Sequence, residues 1–321
     1  MSQQRLFPST TPSADVDELA VHLDDETVAI VEPVELSVVV TTRNRAGELN
    51  FALGSLLEQV WEDGSWDIIV VDNGSTDATN SVIASWAEQC PVPVRVLRAV
   101  DQFNPSYARN TAAASTQARS LAFIDDDDVI GPGWVAAMGT ALRDHELVGS
   151  RFDYHQLNEP EVATHRGGFQ TRDLGRLFDV PVVSSGGSGV RRTLWNHLGG
   201  HSEVIGYGGE DLDFALRAHR IGVSPTFCHD ALYHVRLRSF PAASYRQGVA
   251  FSRSVVSLYH DHGRALGAPN ASVVEVVRRW AGLAKRLPTI HQRGARLLWS
   301  FQLGQRVGHL GACLKQRTWS P

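Results

Sequence analysis

The chain has 321 residues, 43% hydrophobic and 20% charged, with 35 acidic and 30 basic side chains and a formal net charge of −5. That length buries a core without disulfide staples and suits one large α/β domain, or one with a smaller companion. The composition excludes disordered and collagen-like chains, and no run approaches the ~20 apolar residues of a membrane-spanning helix. The opening MSQQRLFPSTTPSADVDE lacks the basic start and apolar core of a signal peptide. Cys90, Cys228 and Cys313 lie far apart with no CxxC, so free thiols and a cytoplasmic setting are expected.

The net charge hides an asymmetry. Residues 271–321 carry nine basic side chains and one acid, Glu275, so an acidic body precedes a basic tail. Only Lys285 and Lys315 of the basic residues are lysine.

Residues 1–35 read as an acidic, weakly patterned leader, with a short strand near Thr27–Val31 as the alternative to a flexible segment. Leu36–Thr42 (LSVVVTT) is short, β-branched and nearly continuous, as a strand buried on both faces would be. Ala46–Val60 follows with apolar Phe51, Leu53, Leu56, Leu57 and Val60 at helical spacing. Trp66–Val71 is a second buried strand, Thr76–Gln89 a helix, Val94–Val100 a third strand and Ser106–Ser115 an Ala-rich helix. Ser120–Ile124 is a fourth strand, closed by the four aspartates Asp125–Asp128.

Strand and helix alternate with short connections, which predicts a doubly wound, mainly parallel α/β sheet with helices on both faces. Ligands in such sheets bind at the carboxyl ends of the strands. There the chain places Thr42-Arg43-Asn44, Asp72-Asn73 and the aspartate run. Beyond Asp153 the pattern loosens into a Gly-rich loop (Ser184–Gly189), a short helix at Arg191–Leu198 and a clear helix at Gly209–Ile221. From Ser272 the tail is apolar and Arg-rich, with Trp280 and Trp299.

Four carboxylates at the end of a buried strand repel one another, and hard oxygen ligands of this kind suit Mg²⁺ or Mn²⁺. A solvated acidic turn is the plain alternative. Asp72, ending its strand before Gly and Ser, offers a carboxylate that can accept from a nucleobase imide, and an ordinary capped strand–helix junction reads equally well. In YGGEDLDFALR, Glu210 and Asp211 sit in the first turn of a helix, where the macrodipole favours carboxylates. Both are expected to stay ionised near neutral pH, as a general base must. His234, after a short apolar strand, is the best-placed neutral nitrogen ligand, with His229 as competitor.

From Leu36 to Arg236 the order and spacing of these segments resemble the family 2 glycosyltransferases, which have the GT-A fold and use nucleotide-sugar donors. The segments are SVVVTTRNRAGELN, DIIVVDNGSTDAT, YARNTAAA, FIDDDD and GGHSEVIGYGGEDLDFALR. The resemblance implies a GT-A catalytic domain over 36–236, with a nucleotide-binding half (36–130), an acceptor half (131–236) and a helical basic extension over 237–321. It implies Thr42, Arg43, Asn44, Asp72, Asn73 and Arg109 around the nucleotide. Asp125 and Asp126 then face ribose and diphosphate, while Asp127 and His234 hold Mn²⁺ or Mg²⁺. Asp211 is implied as catalytic base, with Tyr207, Gly208 and Glu210 on the acceptor side. Three positions depart from the family pattern: Gly199-Gly200-His201-Ser202-Glu203 stands where Gly-Gly-Phe-Asp-Glu is usual, and Ala112 replaces a glycine.

The expected reaction is inverting transfer from a UDP- or dTDP-sugar to a hydroxyl on a glycan, lipid-linked or small-molecule acceptor, with no nucleic-acid partner. The rivals are a nucleotidyltransferase and a non-catalytic scaffold of a polysaccharide assembly. Against the first, the position after strand one reads Thr41-Thr42-Arg43-Asn44 rather than a Gly-rich phosphate loop. Against the second, a retired site need not keep Asp125–Asp127, Asp211 and His234. For the basic tail three roles stay open: peripheral contact with the inner membrane face, self-association with a partner subunit, and packing on its own acidic body, which is the favoured one.

Overall fold

A computed structural model describes residues 33–205, 208–263, 265–268 and 272–317. The leader up to residue 32, its alternative strand at Thr27–Val31, and Tyr207 lie outside the described residues.

Four parallel strands occur where the apolar runs predict them: β1 (Leu36–Thr42), β2 (Trp66–Asp72), β3 (Val94–Arg98) and β4 (Ser120–Asp125). Between them come α1 (Ala46–Leu57), α2 (Thr79–Ala87) and α3 (Pro105–Ala114). Every residue of β2 is buried, as a strand covered on both faces requires. α1 differs in register from the expectation. Its buried stripe is Leu49, Ala52, Leu53 and Leu56, and the helix stops at Leu57. Phe51 is exposed because a 3.6-residue period cannot place it beside Leu49 and Leu53, and Val60 is exposed in the loop beyond the helix end.

The chain continues through β5 (Val129–Ile130), α4 (Trp134–Asp144), β6 (Leu147–Asp153) and α5 (Pro160–Arg166). A small hairpin of β7 (Gly175–Leu177) and β8 (Val180–Val182) precedes β9 (Ser188–Arg191), α6 (Arg192–Leu198), α7 (Glu210–Arg220) and β10 (Thr226–His234). The main sheet has eight strands in the order β3-β2-β1-β4-β9-β6-β10-β5. β9 runs antiparallel between β4 and β6, so the glycine-rich segment before it reverses the chain beside the aspartates. Gly187 makes this turn at φ +77°, a conformation that L side chains rarely adopt.

The C-terminal helices are α8 (Pro241–Leu258), α9 (Val273–Lys285) and α10 (Arg293–Gln316), with a π-helical turn at Tyr259–Gly263 after α8. α10 lies along α8 at very close range: a Cβ on Gly248 would sit 2.1 Å from the Phe301 carbonyl, and one on Gly304 2.1 Å from the Tyr245 carbonyl. α10 also meets α5, where Arg293 pairs with Glu159 and the Gly294 N–H donates to Glu161 Oε1 at 2.8 Å. The basic tail is thus folded onto the acidic body. Among the described residues no helix is long and apolar enough to cross a membrane.

Candidate active site

Register places the site. Thr42 at the end of β1 pairs with Asp72 at the end of β2, and Thr41 with Asp125 at the end of β4. A cleft of about 390 Å³ opens at this carboxyl edge. Of the residues singled out by sequence, Thr42, Arg43, Asn73, Arg109, Asp125, Asp126, Asp127, Gly208, Glu210 and Asp211 line it together.

The aspartate run spreads its side chains over different partners. Asp125 Oδ1 accepts from Arg109 Nη2 at 2.8 Å, and Asp126 Oδ2 from the Thr42 hydroxyl at 2.8 Å. Asp127 Oδ2 accepts from two guanidinium groups, Arg45 and Arg238, each at 2.9 Å. Asp128 turns inward to the backbone N–H of Arg236. Burial, followed by repulsion from Asp127, pushes the Asp126 carboxyl up to about 6. The same two causes raise Asp128 well above the usual carboxylate range.

Arg109 links the two halves of the cleft. Its side chain is 5% exposed, and its second nitrogen donates to Glu210 Oε1 at 3.1 Å. Burial alone would lower its pKa, but Asp125 and Glu210 outweigh that and hold the guanidinium charged. The other oxygen of Glu210 accepts from the N–H groups of Gly208 and Gly209, at 3.1 and 3.0 Å. Glu210 therefore braces the start of α7 from within.

Asp211 accepts from the Ser185 N–H at 3.1 Å through Oδ2 and from the Leu212 N–H at 2.7 Å through Oδ1. Here the expectation of a carboxylate fully ionised at neutral pH is corrected. Burial, then repulsion from Glu210, raises Asp211 to about 7, outweighing its two N–H donors. Gly186 faces the same space: a Cβ there would lie 2.5 Å from Asp125 Oδ2.

At the end of β2, Asp72 is fully buried and does not line the cleft; Oδ1 accepts from the Ser75 N–H at 2.8 Å, while Oδ2 has no hydrogen-bond partner among the described residues and lies 3.8 Å from Arg98 Nε. Asn73 donates to the carbonyls of Ala99 and Gln102 and so fastens the loop carrying Phe103. The Arg43 guanidinium lies 3.7 Å over the Phe103 ring. Asn44, at φ +52°, accepts from the Thr76 N–H at 2.8 Å and staples the β1 and β2 loops rather than lining the cleft.

His234 ends β10 with Nδ1 2.8 Å from Asp153 Oδ2. By strand alternation it shares Asp153's face, opposite Phe152 and Tyr233, and it is Tyr233 whose hydroxyl accepts from the Asp125 N–H. His229 is exposed beside Asp230, away from the cleft. Asp125, Asp126 and Asp127 all line the cleft, and carboxylate oxygens are the ligand type that a hard divalent cation takes, although each is turned to a different partner. His234 does not line the cleft; with Nδ1 beside the Asp153 carboxylate, Nε2 is the nitrogen it would have left for a metal. Among the described residues no three or more His, Cys, Asp or Glu side chains come together as a ready metal cage.

Residues that sequence reasoning passed over also line the cleft: Arg45, Arg236, Arg238, Ser185 and Phe251. A signal was available for the arginines, since VRLR follows His234 directly and Arg45 follows Arg43 by two.

Residues 37–199 match the family described as glycosyl transferase family 2. Validoxylamine A glucosyltransferase from Streptomyces hygroscopicus subsp. jinggangensis is 28% identical over 228 residues, covering 61% of this chain and 54% of that protein. Glycosyltransferase AglE from Haloferax volcanii is 24% identical over 203 residues, covering 61% of this chain and 65% of AglE. The chain thus spans about half the length of the validoxylamine relative. Among solved structures, the mannosyltransferase PcManGT from Pyrobaculum calidifontis, in complex with GDP-Man and Mn²⁺, aligns with TM-score 0.55 and 18% identity. The alignment covers 91% of this chain and 78% of PcManGT. S. aureus TarS aligns with TM-score 0.50 and 17% identity over 71% of this chain and 40% of TarS.

Proposed function

The chain belongs to glycosyl transferase family 2, with a GT-A fold and a sugar-transferring activity, and on that premise we propose an inverting transfer from a nucleoside diphosphate sugar to an acceptor hydroxyl. The observation that carries the proposal is the position of Asp211: a carboxyl raised to about 7, in the same cleft as Asp125, Asp126 and Asp127. A group with that pKa holds both protonation states near neutral pH, which suits a general base.

In this reading Asp211 accepts the proton of the acceptor hydroxyl as its oxygen attacks the anomeric carbon from the face opposite the diphosphate. The N–H groups of Ser185 and Leu212 hold the carboxylate in orientation. Glu210 and Arg109 keep α7 aligned with β4, and Gly186 and Gly208 leave room for the sugars. The base end is assigned to Asp72, Asn73 and Arg43, with a UDP- or dTDP-sugar as the donor; Thr42 and Asn44 shape the adjoining loops.

Asp125, Asp126 and Asp127, with His234 through Nε2, are the residues that would hold Mn²⁺ or Mg²⁺. Such an ion supplies charge neutralisation for the departing diphosphate. Arg45, Arg236 and Arg238 add fixed positive charge at the same end. The acceptor is assigned only by class, a glycan, lipid-linked or small-molecule hydroxyl, on the side of Gly208 and Glu210. A domain spanning 36–236 with a C-terminal helical extension is the corresponding division of the chain.

The test is product stereochemistry with nucleotide-sugar donors in the presence of Mn²⁺. An inverted anomeric centre is expected, and a retained one overturns the mechanism. Asp211→Asn should lower kcat by about 10²–10⁴ while nucleotide binding, followed by calorimetry, stays within about twofold.

A further inference from the structure

α9 turns an apolar face outward. Val274, Val277 and Trp280 are 63%, 61% and 38% exposed, and their three-residue spacing puts them on one side with exposed Ala281 and Ala284. The adjoining side is anchored: Leu283, one turn on from Trp280, is buried, and its carbonyl accepts from the Trp299 indole of α10 at 3.1 Å. The outward direction of the apolar face is therefore fixed by packing. Trp280 and Leu310 of α10 line a common groove, and exposed Val307 and Leu314 extend the apolar strip along α10.

The charge around this strip is mostly of one sign. Residues 271–321 hold nine basic side chains and a single acid, Glu275, whose carboxylate accepts from the Ser272 N–H in a capping box at the start of α9. Arg278 and Lys285, seven residues apart, stand exposed along one border of the apolar face, and Arg286 follows. A two-fold contact between copies through this face would set these like charges against each other. Packing against the acidic body of another copy would satisfy the charge but not the apolar strip. An anionic bilayer satisfies both, with the apolar side chains at the acyl boundary and the basic border at the phosphates.

We propose that α9, with the adjoining edge of α10, docks on an anionic phospholipid surface and lies in its interfacial plane. The proposal is independent of the catalytic assignment. Phe251 lines both the catalytic cleft and the groove beside Trp280, so the docked face adjoins the cleft.

The experiment is flotation of the full chain with phosphatidylglycerol/phosphatidylcholine vesicles and with phosphatidylcholine alone. Co-flotation is expected with the anionic vesicles, falling at least about tenfold on neutral ones and in 0.5 M salt. Arg278→Glu with Arg286→Glu should lower anionic partitioning by at least about tenfold, and Val277→Ser with Trp280→Ser by a similar factor. Both double variants are checked for an unchanged melting temperature, so that loss of lipid binding is not loss of fold. Absence of flotation with anionic vesicles overturns the proposal, as does equal flotation of the folded variants. A dimer in light scattering that needs Val277, with no lipid binding, gives the face to a second copy instead.

Discussion

His262, in the π-helical turn after α8, places Nε2 2.8 Å from Oδ1 of Asp213, two residues beyond Asp211. The other Asp213 oxygen accepts from Arg217 Nε at 2.7 Å, and Arg217 donates to the carbonyls of Leu198 and Gly200. One buried carboxylate thus ties α7 to the C-terminal helices on one side and to the turn after α6 on the other. His262→Ala should cost about 1–3 kcal/mol by leaving Asp213 short of a donor. A lowered melting temperature, and a fall in kcat larger than the change in KM, are the readouts. A fully retained melting temperature would show that the link is dispensable. His262→Gln, which keeps a donor, should recover part of both.

The pH dependence follows from Asp211. Its folded-state pKa of about 7 lies above the ordinary 3.8, so the fold holds this proton more tightly than the unfolded chain does. Its contribution to stability is full below about pH 3.8 and is lost as pH rises through about 7. Activity has the opposite sign, because the base works only when ionised. kcat/KM should therefore climb with pH and level off above about 7. Asp211→Asn should cost about 10²–10⁴ in kcat yet raise the melting temperature at pH 8. A lower melting temperature there would contradict the burial argument.

Arg45 and Arg238 compete with any cation for Asp127 Oδ2. Removing either one should strengthen Mn²⁺ binding to the nucleotide-free protein by about fivefold, the effect of one unit charge a few ångströms away in a partly screened site. Titration followed by the electron paramagnetic resonance of free Mn²⁺ measures this directly. Weaker binding in Arg45→Ala and Arg238→Ala would mean that the arginines assist the ion instead. Asp127→Asn should weaken Mn²⁺ binding in the same assay.

The α8–α10 contact predicts a contrast between two glycines. Gly248→Ala would drive a Cβ into the Phe301 carbonyl and should cost about 1–3 kcal/mol. Gly311→Ala, exposed in α10 with nothing within 4 Å of the new Cβ, should stabilise by up to about 1 kcal/mol. Chemical denaturation of the two variants separates close packing from helix propensity. Equal effects would refute the close approach.

Much of the fold was legible because its signals are local. A β-branched run such as Leu36–Thr42 can bury both faces only inside a parallel sheet, and the alternation of such runs with helices dictates where their carboxyl ends meet. The α1 register was not legible. Phe51 and Leu53 are both apolar, and only the contacts of α1 with the sheet select Leu49, Ala52, Leu53 and Leu56 for burial.

By itself the sequence determined the family, the strand-end position of the site and the list of its carboxylates, because each rests on a few adjacent residues. Tertiary structure alone decided how those groups are charged and held. Arg109 meets Glu210 across 101 positions, and Arg45 meets Asp127 across 82. The raised Asp211 pKa, which the sequence expectation did not include, comes from burial by distant segments together with Glu210 beside it. Desolvation and Coulomb energy depend on distance in space, and a chain position gives that distance only after folding.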